Sequence, residues 1–193
     1  MKKIATLLFA FAGIGIATAQ NNWSSDAAHS SVRFTITHMM IAKTAGQFNE
    51  YEVKVTSAKE DFSDAQVEMK IKTASINTGD ENRDKHLQGA DFFDAEKNPE
   101  ITFKSSSFKK VKGNQYKVEG DLTMHGVTKK VTLDAVYGGT KKDPWGNTKA
   151  GFAIIGKINR SDFGMNYNAD VEGGKILDNM VDIFCDLELT KAK

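Results

Sequence analysis

Val181-Asp182-Ile183-Phe184-Cys185-Asp186-Leu187-Glu188-Leu189 decides the fold. The odd positions carry Val, Ile, Cys, Leu and Leu, and the even ones are mostly Asp and Glu. A period of two is the mark of a β-strand with one face buried and the other in water. Cys185 falls on the apolar face, between Ile183 and Leu187. A thiol among aliphatic side chains has its pKa raised, so the residue is expected to be inert.

The same alternation recurs outward along the chain. Val32, Phe34, Ile36 and His38 face one way, while Ser31, Arg33, Thr35 and Thr37 face the other. Val67, Met69 and Ile71 stand against Gln66, Glu68, Lys70 and Lys72. Further strands are expected from Ile101 to Phe108, Gln115 to Met124, Val131 to Tyr137 and Thr148 to Ile158. A weaker one covers Phe48 to Val55, where the alternation slips by one residue and suggests a bulge. Turn signals fall at Lys112-Gly113-Asn114, at His125-Gly126, and from Gly138-Gly139 through Asp143-Pro144-Trp145-Gly146. One short helix is expected, with Asp80 capping Glu81 to Gln88 and Gly89 ending it. About eight strands and one helix fit a β-barrel or a sandwich. Long, evenly spaced strands favour a closed antiparallel barrel, whose interior is filled by side chains or holds one small ligand.

The inward set is Phe34, Ile36, Val67, Met69, Ile71, Ile101, Phe103, Val118, Leu122, Met124, Leu133, Phe152, Ile154, Ile183, Cys185 and Leu187. Alternation alone fits a packed core as well as a cavity, because every barrel needs such residues. Methionine among them suits a site that adapts to a flexible apolar chain. No catalytic constellation assembles: the chain has no G-x-S-x-G elbow, no H-E-x-x-H and no paired cysteines. A binding protein is therefore expected, not an enzyme. The histidines, His29, His38, His86 and His125, are far apart in sequence. The alternative function is a redox-accessory protein that gathers them around a metal or a haem.

Composition narrows the partners and the compartment. Lys2 and Lys3, an apolar run from Ile4 to Ile16, and Ala17-Thr18-Ala19 have the order of a cleaved secretory signal. Residues 1–19 are read as that signal and 20–193 as one domain, periplasmic or secreted, with no later segment apolar enough to span a membrane as a helix. Removing two lysines and no acid takes the formal net charge from +1 to −1. The remaining lysines are scattered, which argues against a nucleic-acid partner. A single cysteine permits no internal disulfide, so the domain must rest on its apolar interior.

Three segments together resemble the YceI-like family of exported, lipocalin-like, polyisoprenoid-binding proteins. The first is Asp26-x-x-His29-Ser30, then Val32-x-Phe34-x-Ile36-x-His38 and Gly46-x-Phe48. The second is Arg83-Asp84-x-His86-Leu87, Asp91-Phe92-Phe93-Asp94, Pro99 and Ile101-Thr102-Phe103. The third is Gly120-x-Leu122-Thr123-x-His125-Gly126-Val127-Thr128, then Asn159-Arg160-x-Asp162-Phe163-Gly164. The resemblance implies an extended eight-stranded lipocalin-like barrel, usually dimeric. Its deep apolar cavity would hold a polyprenyl lipid or the tail of an isoprenoid quinone, with no other cofactor. It implies ligand contacts from Phe34, Ile36, His38, Phe48, Val67, Met69, Ile71, Phe103, Leu122, Met124, Phe152, Ile154, Ile183 and Cys185. Leu87, Phe92 and Phe93 would cover the mouth, with Phe92 and Phe93 fitting ordinary core under a crossing loop equally well; Arg83 and Asp84 would fix that loop, and Arg160 and Asp162 are read as structural partners.

The order of charge, apolar run and small residues predicts an exported polypeptide that begins at Gln20. Intact-mass measurement of exported material checks it; a membrane-bound product that keeps residues 1–19 would refute it.

Overall fold

The computed structural model describes residues 20–193, so the expected signal, 1–19, lies outside the described residues. The strands are β1 (Asn21–Ser25), β2 (Ser31–His38), β3 (Ala42–Phe48), β4 (Tyr51–Ser57), β5 (Gln66–Lys72) and β6 (Ile76–Asn77). After helix α1 (Glu81–Gln88) come β7 (Glu100–Lys112), β8 (Gln115–Met124), β9 (Val127–Lys142) and β10 (Thr148–Asn159). The short β11 (Asp170–Val171) and β12 (Gly174–Lys175) precede β13 (Leu177–Lys191). Eight of these form an antiparallel ring in the order β1-β4-β5-β7-β8-β9-β10-β13, closed by pairing of β13 with β1. β13 is long enough to serve two partners. It pairs with β1 from Lys191 to Leu189 and with β2 from Asp186 towards Leu177. β2, β3 and β6 therefore extend the wall beyond β1 on one side.

The ring follows from the alternation. In β8, Tyr116, Val118, Gly120, Leu122 and Met124 are buried, and Gln115, Lys117, Glu119 and Asp121 are exposed. Its link to β9 is the two-residue turn His125-Gly126, with φ of 51° and 73°. Two positive φ values in succession make the hairpin turn whose twist matches the strands, and glycine takes the second without a Cβ penalty. Helix α1 runs as the spacing predicts, with the Asp80 carboxylate accepting from Asn82 N and Arg83 N at 3.0 Å each.

Two sequence expectations need correction. The slip between Phe48 and Val55 is not a bulge but a hairpin: β3 ends at Phe48 and β4 begins at Tyr51. Ser75, distant in sequence, holds that turn by accepting from Glu50 N (3.0 Å) through Oγ and from Asn49 N (3.0 Å) through its carbonyl. Gly138-Gly139 does not reverse the chain either. β9 runs on to Lys142, and the pairing with β10 shifts register at Gly151/Phe152, opposite these glycines. The reversal is at Asp143, whose carboxylate accepts from Trp145 N and Asn147 N. β1 was not expected at all.

One end of the ring is plugged. Phe62 packs against Trp23, Tyr137 and Phe152 at centroid distances of 5.1, 5.5 and 5.1 Å. Phe108 joins through Phe152 and Tyr116, and the Tyr116 hydroxyl donates to the Asp61 carbonyl. The wall nearer the other end is thinned by glycines on inward positions. A Cβ on Gly46 would meet the Phe34 ring at 2.4 Å, and one on Gly156 would meet Leu133 Cδ2 at 2.2 Å. One on Gly120 would lie 2.5 Å from both the Phe103 ring and the Lys104 carbonyl oxygen. Large side chains thus lie flat against the wall across bare backbone.

The identity of the colliding atom separates two substitutions. Gly120→Ala meets a backbone oxygen that has nowhere to go, and overpacking of that kind destabilises by ~1–3 kcal/mol. Gly156→Ala meets the end of a leucine that can swing into the lumen, so its unfolding midpoint should stay within ~0.5 kcal/mol of the parent. Urea unfolding of the two variants measures the difference; equal losses would show that Leu133 is as confined as the backbone.

Candidate functional site

The ring encloses an apolar cavity of about 460 Å³, within the ~300–1,000 Å³ usual for ligand pockets. Phe34, Ile36 and His38 of β2, Phe48 of β3, and Val67, Met69 and Ile71 of β5 line it. So do Phe103 of β7, Leu122 and Met124 of β8, Phe152 and Ile154 of β10, and Ile183 and Cys185 of β13. Leu87 of α1 and Phe92 and Phe93 of the following loop complete the expected set, and the structure brings all of them to one chamber. Sequence reading passed over Val53 and Val55, which the misread slip concealed, and Met165, Tyr167 and Ile176, which lie in a stretch with no alternation to reveal them. The inward glycines were the available signal for an open lumen: Gly120 and Gly156 each continue an i, i+2 apolar series, and Gly46 stands two residues before Phe48.

The chamber ends at Phe108 and Phe152, backed by the aromatic plug. Its mouth lies under α1. None of that helix's residues is buried, so polar tethers hold it. Arg83 donates from Nε to Thr78 Oγ1 (2.8 Å) and from Nη2 to the Thr78 carbonyl (2.9 Å). Asp84 accepts from Thr78 N and Oγ1 at 2.8 and 2.6 Å. Both residues fix the loop as the resemblance implied. Phe92 stands edge-on to His86 and packs on Tyr167, each at 5.0 Å, and Phe93 stands edge-on to Phe48 at 5.8 Å. Nearby, the β2–β3 turn exposes Met39, Met40 and Ile41, and Met39 N donates to the Ile176 carbonyl at 2.7 Å.

Among the described residues no Asp or Glu lines the chamber, whereas Arg33, Arg83 and Arg160 do. Arg33 pairs with Asp186 on the outer wall. Arg160 is buried, 3% exposed, and lies in the 3-10 turn Arg160–Phe163 at the end of β10. Its Nε donates to the Asp178 carbonyl (3.0 Å), and its Nη1 donates to the carbonyls of Met165 and Tyr167 (2.8 Å each). Nη2 is buried and has no hydrogen-bond partner among the described residues. Burial pushes the guanidinium pKa down. An unmet buried donor costs ~1–3 kcal/mol, and more when it carries charge.

The histidines are not gathered. Among the described residues, the one grouping of three metal-ligand side chains, Asp26, His29 and Glu188, holds a single histidine. Lys149 Nζ sits against both of its carboxylates, 2.6 Å from Asp26 and 3.2 Å from Glu188. Hydrogen bonds from Lys149 and His29 pull the Asp26 pKa down to about 2. The ammonium ion thus satisfies the acids as an ion-pair network. His125 Nδ1 lies 2.9 Å from the Phe163 carbonyl, and His38 and His86 face the chamber separately.

An eight-stranded barrel with a plugged floor, a covered mouth and an apolar chamber defines a hydrophobic-ligand-binding β-barrel. The chain belongs to the YceI-like domain family, whose model matches residues 23–189. It is 38% identical over 157 residues to a UPF0312 protein of Staphylococcus aureus (strain N315), covering 81% of this chain and 89% of the relative. Its fold matches the Campylobacter jejuni YCEI protein with a TM-score of 0.71, at 29% identity and 100% coverage of both chains. A polyisoprenoid binding domain from Saccharophagus degradans implicated in plant cell wall breakdown shares the fold at 15% identity and a TM-score of 0.62, over 88% of this chain and 98% of that one. No helix among the described residues is long and apolar enough to cross a membrane.

Burial raises the Cys185 pKa to about 12. The thiol should therefore resist a disulfide reagent in the native protein at pH 8 and react at once in denaturant. Fast native labelling would mean that this strand presents its other face to the chamber.

Proposed function

We propose that this protein binds an isoprenoid lipid, a polyprenyl chain or the tail of an isoprenoid quinone, and carries or sequesters it outside the cytoplasm. The observation that carries the reading is the chamber: apolar throughout its depth, plugged by Phe62 and its neighbours, and covered at the mouth by Leu87, Phe92 and Phe93. Each CH₂ moved from water into such a space contributes ~0.8 kcal/mol, so a branched hydrocarbon chain binds without any ion pair. Cavity length and shape then set selectivity. The polyisoprenoid named for the Saccharophagus degradans domain is consistent with this class of ligand. Residues 1–19, with the pattern of an export signal, support a periplasmic or extracellular site of action.

The test uses protein purified from its natural host compartment. Organic extraction and mass spectrometry should yield an isoprenoid lipid at near-stoichiometric amount, and metal analysis of the same sample should find none in that proportion. Ile36→Trp, Met69→Trp and Ile183→Trp place bulk at three lining positions. In a packed core each would lose ~1–3 kcal/mol. In a chamber the indole occupies ligand space, so the variants should unfold cooperatively near the parent temperature and yield no lipid. Badly unfolded variants together with a lipid-free parent would make the interior an ordinary core and end the carrier reading.

A further inference from the structure

The closed end of the barrel carries exposed groups that neither the plug nor the chamber uses. We propose that this end docks on an anionic phospholipid bilayer. Trp145 and Val111 would sit among the headgroups, the surrounding lysines would face the lipid phosphates, and the mouth would point away from the bilayer. The inference concerns the outer surface and does not depend on what the chamber holds.

Lysines that are scattered in sequence are gathered in space at this end. Tyr137 N donates to the Asn114 carbonyl at 2.8 Å, so the β7–β8 turn lies beside β9, and Tyr137 packs on Phe62 of the plug. Past the end of β8 the β9–β10 hairpin runs on, through pairs from Gly151–Gly139 to Thr148–Lys142. The end of β13 flanks it, since Thr190 pairs with Lys149. Segments 109–114, 138–148 and 190–193 are rich in lysine, and Asp143 is their only Asp or Glu. Lys109, Lys112, Lys141 and Lys142 are exposed and form no ion pair among the described residues. The neighbouring 58–65 loop holds Glu60, Asp61 and Asp64. Asp64 accepts from Ala58 N (2.9 Å) and Lys59 N (3.2 Å), and Asp61 accepts from Ser63 N (3.1 Å) and meets Lys110 at 3.6 Å. Two of those three carboxylates are thus turned into their own loop. The opposite end has the reverse sign: acids outnumber lysines and arginines in both segments over the mouth, 80–98 and 160–178. An anionic bilayer therefore attracts the closed end and repels the mouth.

Charge alone would suit any polyanion, and two apolar side chains point to a lipid. Trp145 is 83% exposed and Val111 62%. Both are held outward by the backbone. The Asp143 carboxylate accepts from Trp145 N (2.9 Å), Asn147 N (2.8 Å) and Asn147 Nδ2 (2.9 Å), and Gly146 takes the φ of 85° that the turn requires. Val111 lies where the β7–β8 register shifts between Lys110 and Lys112, as the extra residue of a bulge. Holding them in water forfeits the gain from burying apolar surface, which a membrane interface restores. Indole rings concentrate at headgroup level, where the ring meets apolar groups and the N–H stays wet. A nucleic acid offers the phosphates without that layer. Met39, Met40 and Ile41 form a second exposed apolar group, beside the mouth. Met40 lies against Gly174 of the β11–β12 hairpin, which carries Asp170 and Glu172, so an anionic surface disfavours that side.

The exported protein is floated with vesicles of phosphatidylglycerol and phosphatidylcholine in equal parts, and with vesicles of phosphatidylcholine alone. Binding to the anionic vesicles should be at least about tenfold tighter, and ~0.5 M salt should remove the difference. Trp23 is buried, so a vesicle-induced blue shift and quenching by brominated lipid report Trp145. Trp145→Ser should abolish that signal and weaken binding severalfold. Lys141→Glu combined with Lys142→Glu should cut the anionic preference about tenfold. Lys109→Glu combined with Lys112→Glu, on the β7–β8 hairpin, should do the same and covers the case in which the first pair fails to fold. Ile41→Ser, at the mouth, should bind as the parent does. Equal affinity for the two vesicles, or no binding to either, overturns the proposal. So does loss of binding in Ile41→Ser with both lysine pairs indifferent, which would set the mouth against the bilayer. Duplex DNA at the same phosphate concentration should bind more weakly than the anionic vesicles. DNA bound as tightly, with Trp145 emission unshifted, would make this a general polyanion surface and overturn the lipid assignment. Every substituted residue lies outside the chamber, so the extraction test of its contents stands whatever the vesicles show.

Discussion

Three residue pairs, Trp23 with Lys191, Ser24 with Thr190 and Ser25 with Leu189, close the ring, and the rest of the structure depends on them. An open sheet of the same strands would leave two edges of unpaired N–H and C=O groups and expose one apolar face. Closure turns that face inward and gives it a single enclosed volume. β13 makes this possible by its length, because one continuous strand pairs with β1 at its end and with β2 along the rest. The chain between them, around Asp26 and Ser30, is held across the gap. Asp26 N donates to the Glu188 carbonyl at 2.8 Å, and Ser30 Oγ accepts from Glu188 N at 3.0 Å. The Asp26–Lys149 ion pair lies at the same seam.

Once closed, an eight-stranded ring can be either full or hollow, and this chain is both at different heights. Its floor is filled by rings that meet at tilted and edge-on angles, an arrangement favoured by aromatic quadrupoles. Above that, glycine replaces the side chain that would project into the lumen, and a neighbouring Phe or Leu covers the bare backbone. The same residues that would fill a core are thereby spread along a wall. The chamber is a consequence of where side chains are missing as much as of which are present.

This explains which features could be read along the chain. β8 and β13 were legible because each has one face in water, so charge marks every second residue. β1 was not: Asn21-Asn22-Trp23-Ser24-Ser25 has one apolar residue, and its strand character comes from the two neighbours it pairs with. The β3–β4 turn was mistaken for a bulge because what holds it, Ser75, is distant in sequence. The inward residues were identified correctly from period two, but that periodicity is the same for a core and for a chamber. Deciding between them needs the plug and the glycine contacts, both of which join residues far apart in the chain. The YceI-like motifs favoured a chamber only through the family they resemble; Gly46, Gly120 and the Arg83–Phe93 cover fall within them, but nothing in the motifs alone marks these glycines as facing a lumen.

The chamber separates affinity from discrimination. Its apolar depth favours any chain that fits, in proportion to the surface it removes from water, and that contribution has no direction. Direction needs a fixed polar group, and a polar group at the floor would have to be desolvated without relief whenever the chamber is empty. The groups that line the mouth, Arg83, His86 and Arg160, stand where the chain segments covering the lumen already supply carbonyls and hydroxyls. Arg83 has its acceptors in Thr78, whereas Arg160 has one nitrogen still to satisfy. The polar chemistry is thus confined to one end of an otherwise apolar space.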